Sequence, residues 1–332
     1  MAKLLLLPAL TVLMMFSAVT HGESYLSRAE VDAYIEELIQ QHDFSRPELE
    51  EVLAAAERRQ DIIDLMRRPA ERRLNWHEYR KIFLDEQRIA GGVEFWQQNQ
   101  ATLERAEKEY GVAPEVIVAI IGVETRYGRV TGRHRVVDAL MTLAFDYPPR
   151  ASFFRKELTQ FLLLAREEGK NPTSLTGSYA GAMGFGQFIP SSYRNYAVDF
   201  DRDGVRDIWQ NRTDAIGSVA NYFSRHGWRG AAQVTLPVQL KAETEQLLDI
   251  ANQSLKPTHS VAEMAEMGVI VDGLDPEARV LLLRLLGGDK PEYWLGFDDF
   301  YVITRYNHSR LYAMAVYQLG QEILKRRKQS IG

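Results

Sequence analysis

Apolar positions recur at helical spacing through most of the first two thirds of this chain. Val31, Tyr34, Ile35 and Leu38 form one stripe and Leu49, Val52 and Leu53 the next, each the pattern of a helix with one face turned to a core. Ser27-Arg-Ala-Glu30 and Ser45-Arg-Pro-Glu48 stand ahead of them, a spacing that lets the serine and glutamate side chains cap each other's backbone N–H groups. Tyr79, Ile82 and Phe83 mark a further helix, and another is predicted from Phe95 to Tyr110. Between them Gly91-Gly92 reads as a break, ending an N-terminal helical domain over 23–90 and opening the core at 91. Helices are also predicted over Ser152 to Glu168 and over Asp214 to His226, where Ile216, Val219, Ala220 and Phe223 share a face.

After Gly230 the pattern changes. Val234 to Leu240, Val269 to Asp272, Arg279 to Arg284 and Tyr293 to Ile303 read as short strands, with helices near Thr244 to Ala251 and Val261 to Met267 between them. Helical spacing returns at Leu311, Met314, Ala315 and Leu319. The expected architecture is therefore α+β, mainly α: a helical core over 91–232 that resumes over 301–332, with a small β-containing domain inserted over 233–300.

Composition narrows the function. A chain of 332 residues, 45% hydrophobic and 26% charged, can bury the cores of two or three domains. A net charge of -5 and a pI near 5.9 leave no basic excess to neutralise phosphates, which argues against nucleic acid as main partner. Lys3 followed by the apolar run Leu4 to Ala18 predicts an export signal over 1–22, cleaved after Gly22, with an uncleaved anchor as the alternative. The run is shorter than the roughly 20 residues that span a bilayer, so no membrane span is expected after cleavage. There is no cysteine, hence no disulfide and no lipid-acylated cysteine anchor.

Candidate chemistry concentrates in three stretches and one loop. In Ile117-Val-Ala-Ile-Ile-Gly-Val-Glu124-Thr-Arg-Tyr-Gly128 a single carboxylate lies in line with Ile117, Ile120 and Ile121, on a helix expected to run from Pro114 to Gly128. Burial there would raise the carboxyl pKa and suit a general acid; a surface pair with Arg126 or Arg129 is the structural alternative. Gly177 to Tyr193 mixes glycines with Tyr179, Phe185, Ser178 and Gln187, flat faces and hydrogen-bonding groups of the kind that fit a sugar, or else simply a tight helix connection. Asp199, Asp201, Asp203 and Gly204 begin like an EF-hand loop, but Gln210 stands where its closing glutamate belongs, and Asp214 is the next acid. Tyr306-Asn307-His308-Ser309-Arg310-Leu311-Tyr312 could cap a helix or face a cleft. The histidines have no metal spacing and no Gly-x-Ser-x-Gly elbow occurs, so nucleophilic hydrolysis is unsupported.

Taken together, Val123-Glu124-Thr-x-Tyr-Gly128, Gly177-Ser-Tyr-Ala-Gly-Ala-Met-Gly with Gln187-Phe-Ile-Pro-Ser-Ser, the Asp-rich loop followed by Asp214-Ala-Ile, and Tyr306-Asn-His-Ser resemble the lytic murein transglycosylase B family. The resemblance implies a lysozyme-like helical core with a small α domain and an inserted β-containing domain. It implies non-hydrolytic cleavage of the bond between N-acetylmuramic acid and N-acetylglucosamine in peptidoglycan, leaving 1,6-anhydromuramoyl ends. Carried onto this chain, it makes Glu124 the catalytic acid/base. Ser178, Gln187, Tyr222, Asn307 and Tyr312 would line the sugar cleft, with Tyr79, Phe188 and Tyr306 beside them. A structural calcium ion would be held by Asp199, Asp201, Asp203, Asp214 and the Val205 carbonyl. Glycan strands are the implied partner, penicillin-binding proteins or other wall-synthesis enzymes are further candidates, and the periplasm is the implied location. A lysozyme-type hydrolase and a non-catalytic peptidoglycan-binding scaffold are the competing expectations.

Overall fold

The computed structural model describes residues 24–67, 74–230, 233–288 and 290–331; the expected export signal lies outside them. Two compact units result, one up to Ala54 and one from Ala55 onward. In the first, a 3-10 turn at Tyr25–Ser27 leads into α1 (Ala29–His42) and α2 (Arg46–Ala54). Val31, Tyr34, Ile35, Leu38, Leu49 and Leu53 are buried, as the stripes predict. Ser45 and Glu48 exchange the expected capping bonds. Ser27 does not: the 3-10 turn takes it up, its hydroxyl donates to the Ser24 carbonyl, and Arg28 becomes the N-cap with no side-chain bond.

The second unit holds α3 (Gln60–Arg67), α4 (Trp76–Phe83), α5 (Glu86–Gln98), α6 (Gln100–Tyr110), α7 (Pro114–Thr125), β1 (His134–Arg135), α8 (Val136–Phe145), α9 (Ala151–Glu167), β2 (Thr176–Gly177), α10 (Pro190–Tyr196) and α11 (Arg212–Arg225). There follow β3 (Thr235–Leu240), α12 (Glu245–Ile250), β4 (His259–Ser260), α13 (Val261–Glu266), β5 (Val269–Ile270), β6 (Arg279–Leu285), β7 (Glu292–Gly296), α14 (Asp298–Tyr306) and α15 (Arg310–Ile331). The unit starts at Ala55, well before the expected division near 90. The backbone N–H groups of Glu57 and Arg59 donate to the Asp138 carboxylate and the Thr142 hydroxyl of α8, which ties this segment to the larger core.

Other expectations fail for reasons the packing makes plain. Gly91 and Gly92 lie inside α5; they break nothing because they make room, a Cβ on Gly92 falling 2.4 Å from Ile323 and 2.7 Å from the Tyr127 hydroxyl. The helix predicted over Phe95 to Tyr110 is two, parted at Asn99, whose amide side chain donates 2.7 Å back to the Phe95 carbonyl. The run Tyr293 to Ile303 is not one strand: β7 ends at Gly296, where a Cβ would lie 2.9 Å from Phe300, and Asp298 and Asp299 then open α14, acids at the positive end of a helix. Helix α8 was not foreseen.

The sheet is antiparallel in the order β4-β6-β7-β3-β5. It packs on a hydrophobic cluster of its own, built from Leu247, Val261, Met264, Val269, Val280, Leu282 and Leu295. At the centre of the helical core, α7 meets α5, α6, α11 and α15. Val116 to Gly122 are buried on every side of it, as expected of a helix apolar all round.

Candidate active site

Helix α7 carries no ionised side chain between Glu115 in its first turn and Glu124 in its last. The helix stops at Thr125, earlier than Gly128, because Arg126 and Tyr127 both take left-handed backbone angles, φ 51° and 63°, ahead of Gly128 at 86°. Glu124 is half-buried, and its carboxyl accepts a hydrogen bond of 2.5 Å from the Tyr312 hydroxyl on α15. Two influences set its pKa. Burial is the larger and raises it from 4.5 to about 7, against the Tyr312 hydrogen bond, which lowers it. No cation contributes, so the pairing with Arg126 or Arg129 entertained from sequence does not occur. The residue keeps enough exposure to meet a ligand and enough protein around it to be protonated near neutrality.

Three tyrosines feel that charge. Tyr312 and Tyr306 are held well above the usual phenol range by burial first and then by Glu124, and Tyr79 is raised by the same two causes. Tyr312 is almost wholly buried and spends its hydroxyl on Glu124. Tyr306 donates to the Gly186 carbonyl, and a Cβ on Gly186 would lie 2.8 Å from that hydroxyl; the glycine is what lets the turn come so close. Phe188 and Tyr222 pack on Tyr306 at ring separations of 6.0 and 4.8 Å. The Tyr222 hydroxyl donates 2.6 Å to the Arg305 carbonyl. Phe188, Tyr222 and Tyr306 thus form an aromatic floor linking the glycine-rich turn, α11 and α14.

The glycine-rich stretch is a short hairpin. Met183 and Phe188 exchange backbone bonds of 2.8 and 3.0 Å, and the Ser178 hydroxyl accepts from the N–H groups of Ala180 and Ala182. Gln187, at φ 50°, donates its side-chain amide to the carbonyls of Thr131 and Gly184. The hairpin is fastened to the end of α7 beside Glu124: the Thr125 hydroxyl lies 2.9 Å from the Phe185 carbonyl and accepts from the Gly128 N–H at 3.0 Å. Thr125 was not singled out from sequence, where it reads as an ordinary last-turn residue. Asn307 is exposed at the end of α14 and its amide makes no side-chain bond among the described residues, whereas the Ser309 hydroxyl takes the capping role by accepting from Tyr312 N–H. His308 is exposed.

In the acidic loop, Asp199, Asp201 and Asp203 each bring a carboxylate oxygen within 4.8 Å of the others. Left-handed angles at Arg202 and Gly204 bend the chain around them, and Asp199 accepts from the N–H groups of Asp203 and Gly204. Asp214 stands apart from that group. It is fully buried and accepts from Phe200 and Asp201 N–H with one oxygen and from Asp207 N–H with the other, so it braces the loop from inside. Val205 is exposed, its N–H donated to Asp203. Three acids, Asp199 half-buried and Asp201 and Asp203 exposed, with the oxygen-only character of a hard-cation site, fit calcium by chemistry.

A helical core around one desolvated carboxylate, walled by tyrosines and a glycine hairpin, matches the family model described as the transglycosylase SLT domain over residues 27–321, and the chain belongs to that family. It is 43% identical over 318 residues to membrane-bound lytic murein transglycosylase B of Escherichia coli K12, covering 93% of this chain and 86% of that one. Among solved structures, the soluble lytic transglycosylase SltB1 of Pseudomonas aeruginosa superposes with a TM-score of 0.86 at 50% identity, over 90% of this chain and 99% of that one. The Escherichia coli lytic transglycosylase Slt35 in complex with calcium gives 0.84 at 42% identity, over 96% and 99%.

Proposed function

We propose that the protein is a peptidoglycan lytic transglycosylase of cell-wall turnover in which Glu124 alone gives and recovers the proton. Protonated Glu124 donates to the oxygen linking N-acetylmuramic acid to N-acetylglucosamine as the bond from C1 to that oxygen breaks. The acetamido oxygen of the muramoyl sugar closes on C1. The C6 hydroxyl then displaces it, giving its proton to the Glu124 carboxylate, and the 1,6-anhydro ring forms without water. One residue serves as acid and then base most efficiently when its pKa lies near the working pH, and substrate-assisted chemistry needs no second carboxylate.

The observation that carries this reading is the Glu124 carboxyl, raised to about 7 and, among the described residues, with no cation beside it and bonded only by Tyr312. Ser178, Gln187 and Asn307 offer the polar groups for the sugars, and Tyr79, Phe188, Tyr222 and Tyr306 the apolar walls. The test is digestion of purified murein followed by mass spectrometry of the new ends. Ends lighter by one water, absent with Glu124→Gln, are expected; full-weight reducing ends would mean hydrolysis, and unchanged cleavage by the variant would remove Glu124 from the chemistry.

Calcium is the ion assigned to the 199–214 loop, held by Asp199, Asp201, Asp203, Asp214 and the Val205 carbonyl, where it would neutralise gathered charge and stiffen the turn ahead of α11. A periplasmic site of action follows from the substrate. No helix among the described residues is long and apolar enough to cross a membrane.

A further inference from the structure

The end of α7 is held by an unusual reciprocal arrangement with α5. Arg88, almost wholly buried, donates its Nε to the Gly122 carbonyl at 3.1 Å and an Nη to the Ile82 carbonyl. Tyr127 folds back under the helix and donates its hydroxyl 2.8 Å to the backbone carbonyl of Arg88. Each helix therefore receives a bond from the other, at positions two and three residues from Glu124. The Tyr127 side chain lies in a slot cut by three glycines: a Cβ would stand 3.0 Å from its ring at Gly91, and 2.7 Å and 2.5 Å from its hydroxyl at Gly92 and Gly122. Any other residue at Gly92 or Gly122 would expel the ring. The left-handed angle at Tyr127 is what turns it into this slot, and a non-glycine residue persists there only when its surroundings over-determine it.

The same α5 surface orients the other half of the site. Gly92 also receives Ile323 of α15, and α15 carries Tyr312. The acid on α7 and its hydrogen-bond donor on α15, 2.5 Å apart, are thus both registered against one face of α5, in addition to packing directly on each other.

We infer that Arg88 and Tyr127 form a positioning clamp for catalysis, locking the last turn of α7 so that the Glu124 carboxyl meets both Tyr312 and the glycosidic oxygen. Neither residue touches substrate. The clamp rests on the assignment of Glu124, and it makes a claim that assignment does not: geometry at the reacting oxygen is set by two residues on the far side of the helix. Small misplacements of a reacting group cost up to about a hundredfold in rate.

The experiment compares Tyr127→Phe, which keeps the ring and removes only the hydroxyl, with Arg88→Met and the double variant, using soluble glycan strands of defined length and activity per folded molecule. Tyr127→Phe is expected to lower kcat about tenfold with KM within twofold. Arg88→Met should lower it at least as much, Arg88→Lys should recover part of the loss, and the double variant should be no worse than Arg88→Met, since the two act as one device. The alkaline limb of the kcat profile should move upward in both variants, because the Tyr312 hydrogen bond that favours the carboxylate is loosened. A normal kcat and pH profile in folded Tyr127→Phe, a loss confined to KM, or a loss accounted for by the unfolded fraction would each overturn the clamp. Glu124→Gln separates the two readings: if it is inactive while Tyr127→Phe is normal, only the clamp falls.

Discussion

Replacing Glu124 by glutamine should stabilise the folded protein, and only above a definite pH. The carboxyl has a pKa of about 7 in place against 4.5 when free, so the unfolded chain releases its proton first as pH rises. Stability contributed by the protonated group is complete below 4.5, declines between 4.5 and about 7, and is lost above. At about 1.4 kcal/mol per unit the full difference is about 3.5 kcal/mol, and partial exposure of Glu124 trims it to roughly 2–3 kcal/mol. For a unit of this size that corresponds to roughly 4–10 °C in melting temperature. Melting curves of both proteins across pH 4 to 9 measure it. The difference between variant and parent should be flat below pH 4.5, grow to pH 7 and level off. Curves that stay parallel throughout would mean that Glu124 ionises freely, and the acid role would go with the burial.

Other outcomes follow from neighbouring contacts. Tyr312→Phe removes the one influence that lowers the Glu124 pKa, so the alkaline limb of the rate profile should rise above about pH 7 while kcat falls; an unmoved limb would deny the hydrogen bond any part in tuning the acid. Calcium should raise the melting temperature, by about 2.7 kcal/mol of added stability at a hundred times Kd, and Asp201→Asn with Asp203→Asn should abolish the rise, as isothermal titration would also show. Asp214→Ala should cost about 2–4 kcal/mol with or without calcium, measured by denaturant titration, because three backbone N–H groups lose their acceptor. Gly128→Ala combines a φ of 86° with a Cβ 2.1 Å from the Phe185 ring; a loss of at least about 2 kcal/mol is expected, and a neutral result would mean the hairpin is not fastened as described.

What could be read from the sequence was whatever is encoded by neighbours along the chain. The oily run around Glu124, the alternating aspartates and the helical stripes are local patterns, and the helices they predicted are present. What escaped depends on contacts remote in sequence. Gly91-Gly92 has the look of a break because nothing nearby reveals that Tyr127 and Ile323 must pass there. Helix α8 is a short run that is apolar apart from Asp138 and Thr142, and in so short an apolar run spacing alone does not separate helix from strand. Tyr293 to Ile303 is rich in strand formers, and only the tight approach of Gly296 to Phe300 parts sheet from helix. Asp214 was placed by counting residues along the loop, while its neighbours turned out to be backbone N–H groups. Arg88 and Thr125 carried no signal of their own; a buried arginine announces itself only once its acceptors are known.

Glu124 and Tyr312 are 188 residues apart in the chain, and the second enters only with α15. A nascent or proteolytically shortened chain that lacks α15 holds the acid without the hydroxyl that orients it. An activity able to cut the wall of the cell that makes it therefore waits until α15 has been made and has docked on α7, a timing written into the fold rather than added by an inhibitor.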